Sequence, residues 1–258
     1  MTRRQLTFTC DGMELAGTLD DAAGTTGLLI VTGGNETRAG AFAGQAEIAA
    51  RIAAAGHPVF RFDRRGVGDS EGMNGRFRSS APDIAAALAA FRQAAPHVTR
   101  IIGFGNCDGA SALMLSRGAG LDGLVLANPW TIESDDAAPP PEAIRARYSQ
   151  KLRNPKELAR LLTGKVSIGK LLKGIGQAIR PAPAPTTLAQ EIAAGLAAFR
   201  GQATILLAER DRTAQTFAAS WDHADPRIRR CPGASHAFAE APARDWLAER
   251  LLEALAPR

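Results

Sequence analysis

The segment Arg100–Ser111, RIIGFGNCDGAS, constrains this chain more than any other. An apolar run, Arg100–Phe104, leads into Gly105-Asn106-Cys107-Asp108-Gly109, and a small-residue stretch, Ala110–Arg117, follows and stops at Gly118. Read as strand, sharp turn and helix, the pattern puts Cys107 on the turn with a glycine two positions to either side, the form of a nucleophile elbow. Side chains at 105 and 109 would collide with the neighbouring helix and strand, so glycine lets the turn close. The turn also puts Cys107 at a helix N-terminus, where the dipole and unpaired N–H groups favour negative charge. The bland alternative is a small buried cysteine in a Gly-rich bend. Against it, the turn stands at the carboxyl end of a strand, where open α/β sheets bind their ligands.

The flanking sequence alternates strand and helix. Gln5–Cys10 and Met13–Leu19 read as a hairpin around Asp11-Gly12. Gly27–Thr32 is a continuous apolar run, as in a strand buried on both faces. Then come a helix at Phe42–Ala55, a strand at Pro58–Phe62, a helix at Ala81–Ala95 and a strand at Gly123–Ala127. The alternation breaks at Asn128-Pro129-Trp130 over about 131–200. It resumes with a strand at Ala203–Ala208, a helix around Gln215–Trp221, a strand at Arg227–Cys231 and a helix at Pro242–Leu255 burying Trp246, Leu251, Leu252 and Leu255. This order predicts an α/β fold with a mostly parallel central sheet and helices on both faces. The expected organisation is a first core part at 1–130, a basic helical cap at 131–184 and a second core part at 185–258. PAPAP at 181–185 has the composition of a linker.

The same logic places an acid and a base. Asp211 lies just past the strand at 203–208, with Glu209 as its competitor, and His236 lies in a Gly-containing loop after the strand ending at Cys231. Nucleophile, acid and base thus occur in the chain order that an elbow of this kind requires. The other histidines, His57, His97 and His223, lack such a context. An oxyanion hole needs two backbone N–H groups. Asp108, following the nucleophile, is expected to supply one. Gly34, in the loop Thr32-Gly33-Gly34-Asn35, is expected to supply the other, with Asn35 as runner-up. Asn35, Arg38, Asn106 and Trp130 are the candidate substrate-binding residues. No metal or cofactor is expected.

Composition narrows the class. Aromatics are 5% of the 258 residues, which argues against a base-stacking nucleic-acid surface. Cys10, Cys107 and Cys231 are odd in number and far apart, which fits neither a disulfide framework nor a zinc site. The N-terminal MTRRQLTFTCDG has no apolar run behind its arginines, and no apolar stretch reaches the roughly 18 residues of a spanning helix. A cytoplasmic location is the resulting expectation. Charge is uneven. Between Arg145 and Arg180 ten Lys/Arg face one acid, Glu157, so this stretch is strongly basic and the remainder mildly acidic. The basic stretch is either a solvated helical face or a contact for an anionic membrane surface, an anionic substrate or an acidic carrier protein. The membrane reading would place the protein peripherally on the inner membrane.

Phe62-Asp63-Arg64-Arg65-Gly66-Val67-Gly68-Asp69-Ser70-Glu71-Gly72 resembles the D-x-R-G-x-G-x-S loop of α/β-hydrolase esterases and acyl transferases. With GGNETRAG and GNCDGASA, nearly the whole chain resembles the first hydrolase of exosortase A-associated gene clusters, which serve exopolysaccharide production and protein sorting. The resemblance implies an α/β-hydrolase fold and, because such clusters also encode an acyl carrier protein and an acyl-activating ligase, acyl chemistry. One departure stands out: the first loop reads Thr32-Gly33-Gly34 where the family commonly has His-Gly.

The expected activity is therefore attack by Cys107 on an ester or thioester of a small acyl molecule, through a covalent acyl-enzyme. Acyl transfer from an acyl-carrier or acyl-CoA donor is the first alternative. A dienelactone-hydrolase-like activity, which also uses Cys, His and Asp, and an inactive binding subunit are the others.

Overall fold

In a computed structural model, residues 2–133 and 186–257 are described. Eight strands form one sheet in the order β1-β2-β4-β3-β5-β6-β7-β8. β1 (Thr2–Cys10) and β2 (Met13–Asp21) make the expected hairpin, in register Cys10 to Met13. Its turn residues have positive φ, 49° at Asp11 and 79° at Gly12. That is the backbone a two-residue turn with the strands' own twist requires. β2 runs antiparallel to β4 (Val59–Phe62), and all later pairings are parallel: β4 with β3 (Thr26–Val31), then β5 (Arg100–Asn106), β6 (Gly123–Ala127), β7 (Gln202–Ala208) and β8 (Ile228–Cys231).

Strand side chains alternate between two cores, one on each face. Along β3, Leu29 and Val31 join Ile84, Leu88 and Phe91 of α2 (Ala81–Ala94) and Leu113 of α3 (Asp108–Leu115). Leu28 and Ile30 join Ile48 and Ile52 of α1 (Gly44–Ala54) on the opposite face, with Leu247, Leu251 and Leu255 of α6 (Ala241–Leu255). Trp246 and Leu252, expected to be buried in this last helix, are only partly covered. The a-face role falls instead to Ala243, Leu247, Ala248, Leu251 and Leu255, which recur at helical spacing.

Two departures concern the break in the alternation. The helix α4 (Thr187–Ala198) has no counterpart in the sequence reading, yet it buries Leu188, Ile192 and Leu196 in the first core. Thr186 caps it, its hydroxyl accepting from the Ala189 N–H. The expected basic cap and the PAPAP linker lie outside the described residues. The second departure is α5 (Arg212–Ala219), which begins three residues earlier than expected because Asp211 caps it. Among the described residues, no helix is long and apolar enough to cross a membrane.

Candidate functional site

The site forms at the carboxyl edge of the parallel strands. β5 ends at Asn106, and Cys107 takes φ 59° and ψ −128° before α3 begins at Asp108. This is a strained conformation for a residue with a side chain, and such backbone persists only where its surroundings force it. The surroundings here are tight. A Cβ on Gly105 would come within 2.6 Å of the Ala110 nitrogen, and one on Gly109 would press on the carbonyl oxygens of Val31 and Thr32. The Cys107 N–H donates to the Ala127 carbonyl at 2.9 Å, and its carbonyl accepts from Ala110 at 3.1 Å. Gly33 is equally close: a Cβ there would lie 3.1 Å from the Cβ of Cys107.

Two loops bring the acid and base to this elbow. Asp211 follows β7 and is the N-cap of α5, its Oδ2 accepting from the Ala214 N–H at 3.0 Å. The same oxygen lies 2.9 Å from Nδ1 of His236, with the Asp211 side chain 8% exposed and that of His236 38%. One carboxylate thus meets a helix N-terminus and an imidazole together. Asp211 first, and then the Cys107 side chain, push the imidazole up from 6.5 to about 10, against the opposing effect of burial. The two loops are tied to each other, Glu209 N–H donating to the Cys231 carbonyl at 3.2 Å and Arg210 N–H to the Ala234 carbonyl at 3.0 Å. Glu240 holds the His loop by accepting from the N–H and hydroxyl of Ser235, each at 3.0 Å. Glu209, the rival acid, is exposed.

His57 and His97 are elsewhere, against the carbonyls of Thr26 and Ala22. The other two thiols are buried. Burial first, then the Asp83 carboxylate, pushes the Cys10 thiol up to about 11. Burial first, then Glu209 and Glu240, raises that of Cys231.

The residues expected to bind substrate are largely engaged in holding the site. Asn106 donates through Nδ2 to the backbone carbonyl of His236 at 3.1 Å. Asn128, at the end of β6, donates to the same oxygen at 3.1 Å and to Asn106 Oδ1 at 3.0 Å, while its own Oδ1 accepts from the Ala208 N–H at 2.8 Å. This amide pair spans β5, β6 and β7 and fixes the His236 backbone. Arg38 binds Asp63, Asp69 and the Thr18 hydroxyl. Those contacts satisfy its guanidinium and anchor the first loop. Trp130 donates from its backbone N–H to Ser111 Oγ at 2.8 Å and from Nε1 to the Ile132 carbonyl at 2.7 Å. Asn35 is exposed, and its Oδ1 accepts from Asn74 at 2.8 Å.

The first loop holds an unexpected contact. Gly34, with φ 57°, donates its N–H to Oδ1 of Asp108 at 2.7 Å. Arg64, 3% exposed, bridges the two residues, with Nη2 at 2.5 Å from the Gly34 carbonyl and 3.2 Å from Asp108 Oδ1. Sequence reasoning missed Arg64 and Asn128. Arg64 carried a signal, since it belongs to the D-x-R-G-x-G-x-S loop; Asn128 carried only its position at a strand's carboxyl end. A cavity of about 570 Å³ adjoins the His loop at Ala237 and Ala239, lined by Phe42, Ile48 and Leu247 together with the charged Glu47, Arg51, Arg244 and Asp245; Cys107 and His236 do not line it. Among the described residues, no group of three or more His, Cys, Asp or Glu could hold a metal ion.

Comparison with known proteins places this geometry. No curated protein sequence matches. Solved structures do. The α/β hydrolase GrgF from Penicillium sp. sh18 aligns over 99% of this chain and 98% of its own at 17% identity, with a TM-score of 0.64. The esterase Pf2001 from Pyrococcus furiosus aligns over 99% and 94% at 17% identity and a TM-score of 0.59. Est1E from Butyrivibrio proteoclasticus, solved with ferulic acid bound, aligns over 96% and 98% at 16% identity and a TM-score of 0.59. A sequence profile described as Alpha/beta hydrolase family matches residues 28–250, which span the elbow, both later loops and six of the eight strands in full or nearly so. The chain belongs to the α/β hydrolase family.

Proposed function

We propose that this protein cleaves an ester or thioester through a covalent acyl-enzyme on Cys107, with His236 as base and Asp211 as its orienting acid. The observation that carries the reading is His236, held through Nδ1 by Asp211 at 2.9 Å and with its imidazole influenced by the Cys107 side chain on its strained turn. A nucleophile served by an imidazole that a carboxylate orients is the arrangement acyl-enzyme chemistry uses.

In the first step the Cys107 thiol proton passes to His236 as Sγ attacks the acyl carbonyl and the carbonyl electrons move to oxygen. Collapse of this intermediate expels the alcohol or thiol, which takes a proton from His236. The oxyanion meets the backbone N–H of Asp108 and, once it is vacated, that of Gly34. Water then attacks the thioester with His236 as base, releasing the acid and restoring the thiol. Asp211 keeps the imidazole in one tautomer and balances its charge.

A cysteine nucleophile also favours acyl transfer, since a thioester exchanges readily with thiols and amines. An acyl-carrier or acyl-CoA donor is therefore the second reading. The likeness of GGNETRAG and GNCDGASA to exosortase-associated hydrolases points the substrate toward acyl groups of exopolysaccharide systems. Pf2001, similar in fold, is an esterase. The basic stretch at 145–180 is the proposed contact for an acidic carrier or an anionic membrane.

Incubation with p-nitrophenyl esters, acyl-CoA and acylated carrier protein, followed by intact-protein mass spectrometry, tests this. The expected result is a mass increase of one acyl group that is absent in Cys107→Ala. An adduct that persists in Cys107→Ala, or no adduct and no turnover with any donor class, contradicts it.

A further inference from the structure

The Asp108 carboxylate occupies the N–H that the mechanism needs. Gly34 N–H to Asp108 Oδ1 is 2.7 Å, a distance at which oxyanion-hole donors hold developing charge. A single residue thereby serves one half of the hole with its backbone and fills the other half with its side chain. We propose that Asp108 is a resident occupant of the oxyanion hole, displaced by the substrate's carbonyl oxygen onto Arg64, and that it determines which substrates the site accepts. The proposal rests on the Cys107 reading above.

Arg64 is placed to receive the carboxylate. Its guanidinium is buried, with Nη1 on Ser80 Oγ at 3.1 Å and Nη2 shared between the Gly34 carbonyl and Asp108. Its Nε is buried and has no hydrogen-bond partner among the described residues. Nε and Nη2 lie on one edge of the guanidinium, the edge that grips a carboxylate with two parallel bonds. A carboxylate that leaves Gly34 exchanges one N–H bond for a second bond to Arg64 and also satisfies a buried donor. The Asp108 side chain is 17% exposed and Gly34 itself is exposed, so the carboxylate and the N–H it covers lie at an open edge of the site. Two consequences follow for substrates. A carbonyl must compete with a charged acceptor for Gly34, which favours strongly polarised acyl carbonyls. An acyl group that carries its own anion beside the carbonyl meets the Asp108 charge and is disfavoured.

The test compares two reagents for Cys107. An aliphatic aldehyde adds reversibly: a bond forms from Sγ to the carbonyl carbon, the carbonyl electrons pass to oxygen, the thiol proton ends on that oxygen, and the oxygen enters the hole. Iodoacetamide alkylates Sγ with loss of iodide and the thiol proton and places no oxygen in the hole. The readout is aldehyde affinity divided by alkylation rate. In Asp108→Ala this ratio is expected to rise about fivefold, the worth of one hydrogen bond. Asp108→Asn, which keeps an oxygen for Gly34 but loses the charge, is expected to fall between, and it decides the matter if Asp108→Ala melts at a much lower temperature. A ratio unchanged or lowered in both variants overturns the proposal, because Asp108 would then only brace the loop. A parent Cys107 that neither alkylates faster than Cys10 and Cys231 nor binds aldehyde overturns the Cys107 reading as well, and so separates the two failures.

Discussion

The two loops on either side of the reacting sulfur are built by opposite means. The elbow at 105–109 is fixed by backbone packing: neither Gly105 nor Gly109 has room for a methyl group, and Cys107 keeps a strained φ because its neighbours leave no alternative. Past Gly33, which packs against the elbow, the first loop is held largely by side chains: Asp108 and Arg64 hold Gly34, Asp63 and Asp69 hold Arg38, and Asn74 holds Asn35. Packing of the first kind gives a rigid platform for the nucleophile. A charged network of the second kind can rearrange, which suits a loop whose N–H must change partners.

The contrast can be broken first at its rigid end. Gly109→Ala sets a methyl group against two strand carbonyls, so it is expected to lose about 3 kcal/mol or more of stability. Chemical denaturation measures it, and a loss below about 1 kcal/mol would mean that the elbow yields. Next in size is Asn128→Ala. It strips one donor from the His236 carbonyl and leaves the Ala208 N–H without its acceptor, so about 1–3 kcal/mol should be lost. Acyl-enzyme formation should fall with it, since the His236 backbone loses half of its amide clamp; unchanged acylation would assign Asn128 to stability alone.

A smaller effect comes from the base. The imidazole of His236 is raised from 6.5 to about 10 in the folded protein. A group so raised contributes stability that is complete below about pH 6.5 and is lost as pH rises through about 10. The melting-temperature difference between the parent protein and His236→Gln should therefore be largest near pH 6 and shrink toward pH 10 and above. A difference that grows with pH would reverse the assignment. Smallest of all is Asn74→Ala, which removes an exposed hydrogen bond at the rim and should change stability by less than about 0.5 kcal/mol.

The same contrast explains what the sequence revealed. Gly105, Cys107 and Gly109 are legible because backbone packing dictates residue type at fixed spacing, and Asp211 and His236 because strand ends are marked by apolar runs that stop. The hairpin at Asp11-Gly12 was legible for the same reason. Side-chain networks leave no such spacing. Asn106 and Arg38 look like free polar groups near a site, yet their partners, Asn128 and Asp63, stand just past the ends of other strands and only the fold brings them together. The occupied Gly34 N–H was hidden for that reason too. α4 escaped notice because its apolar positions follow a Pro-rich, basic stretch that dominates the reading of 131–200.

The central claim is that His236 and the elbow make Cys107 alone a nucleophile. Competitive labelling tests it most directly: the folded protein is treated with limiting iodoacetamide at pH near 6, and the modified cysteine is located by peptide mass spectrometry. Cys10 and Cys231 are buried with raised thiols, so label is expected on Cys107 in preference to both, and the preference should collapse in His236→Ala. Labelling of Cys107 no faster than Cys10 or Cys231, or a preference that survives His236→Ala intact, would contradict the account.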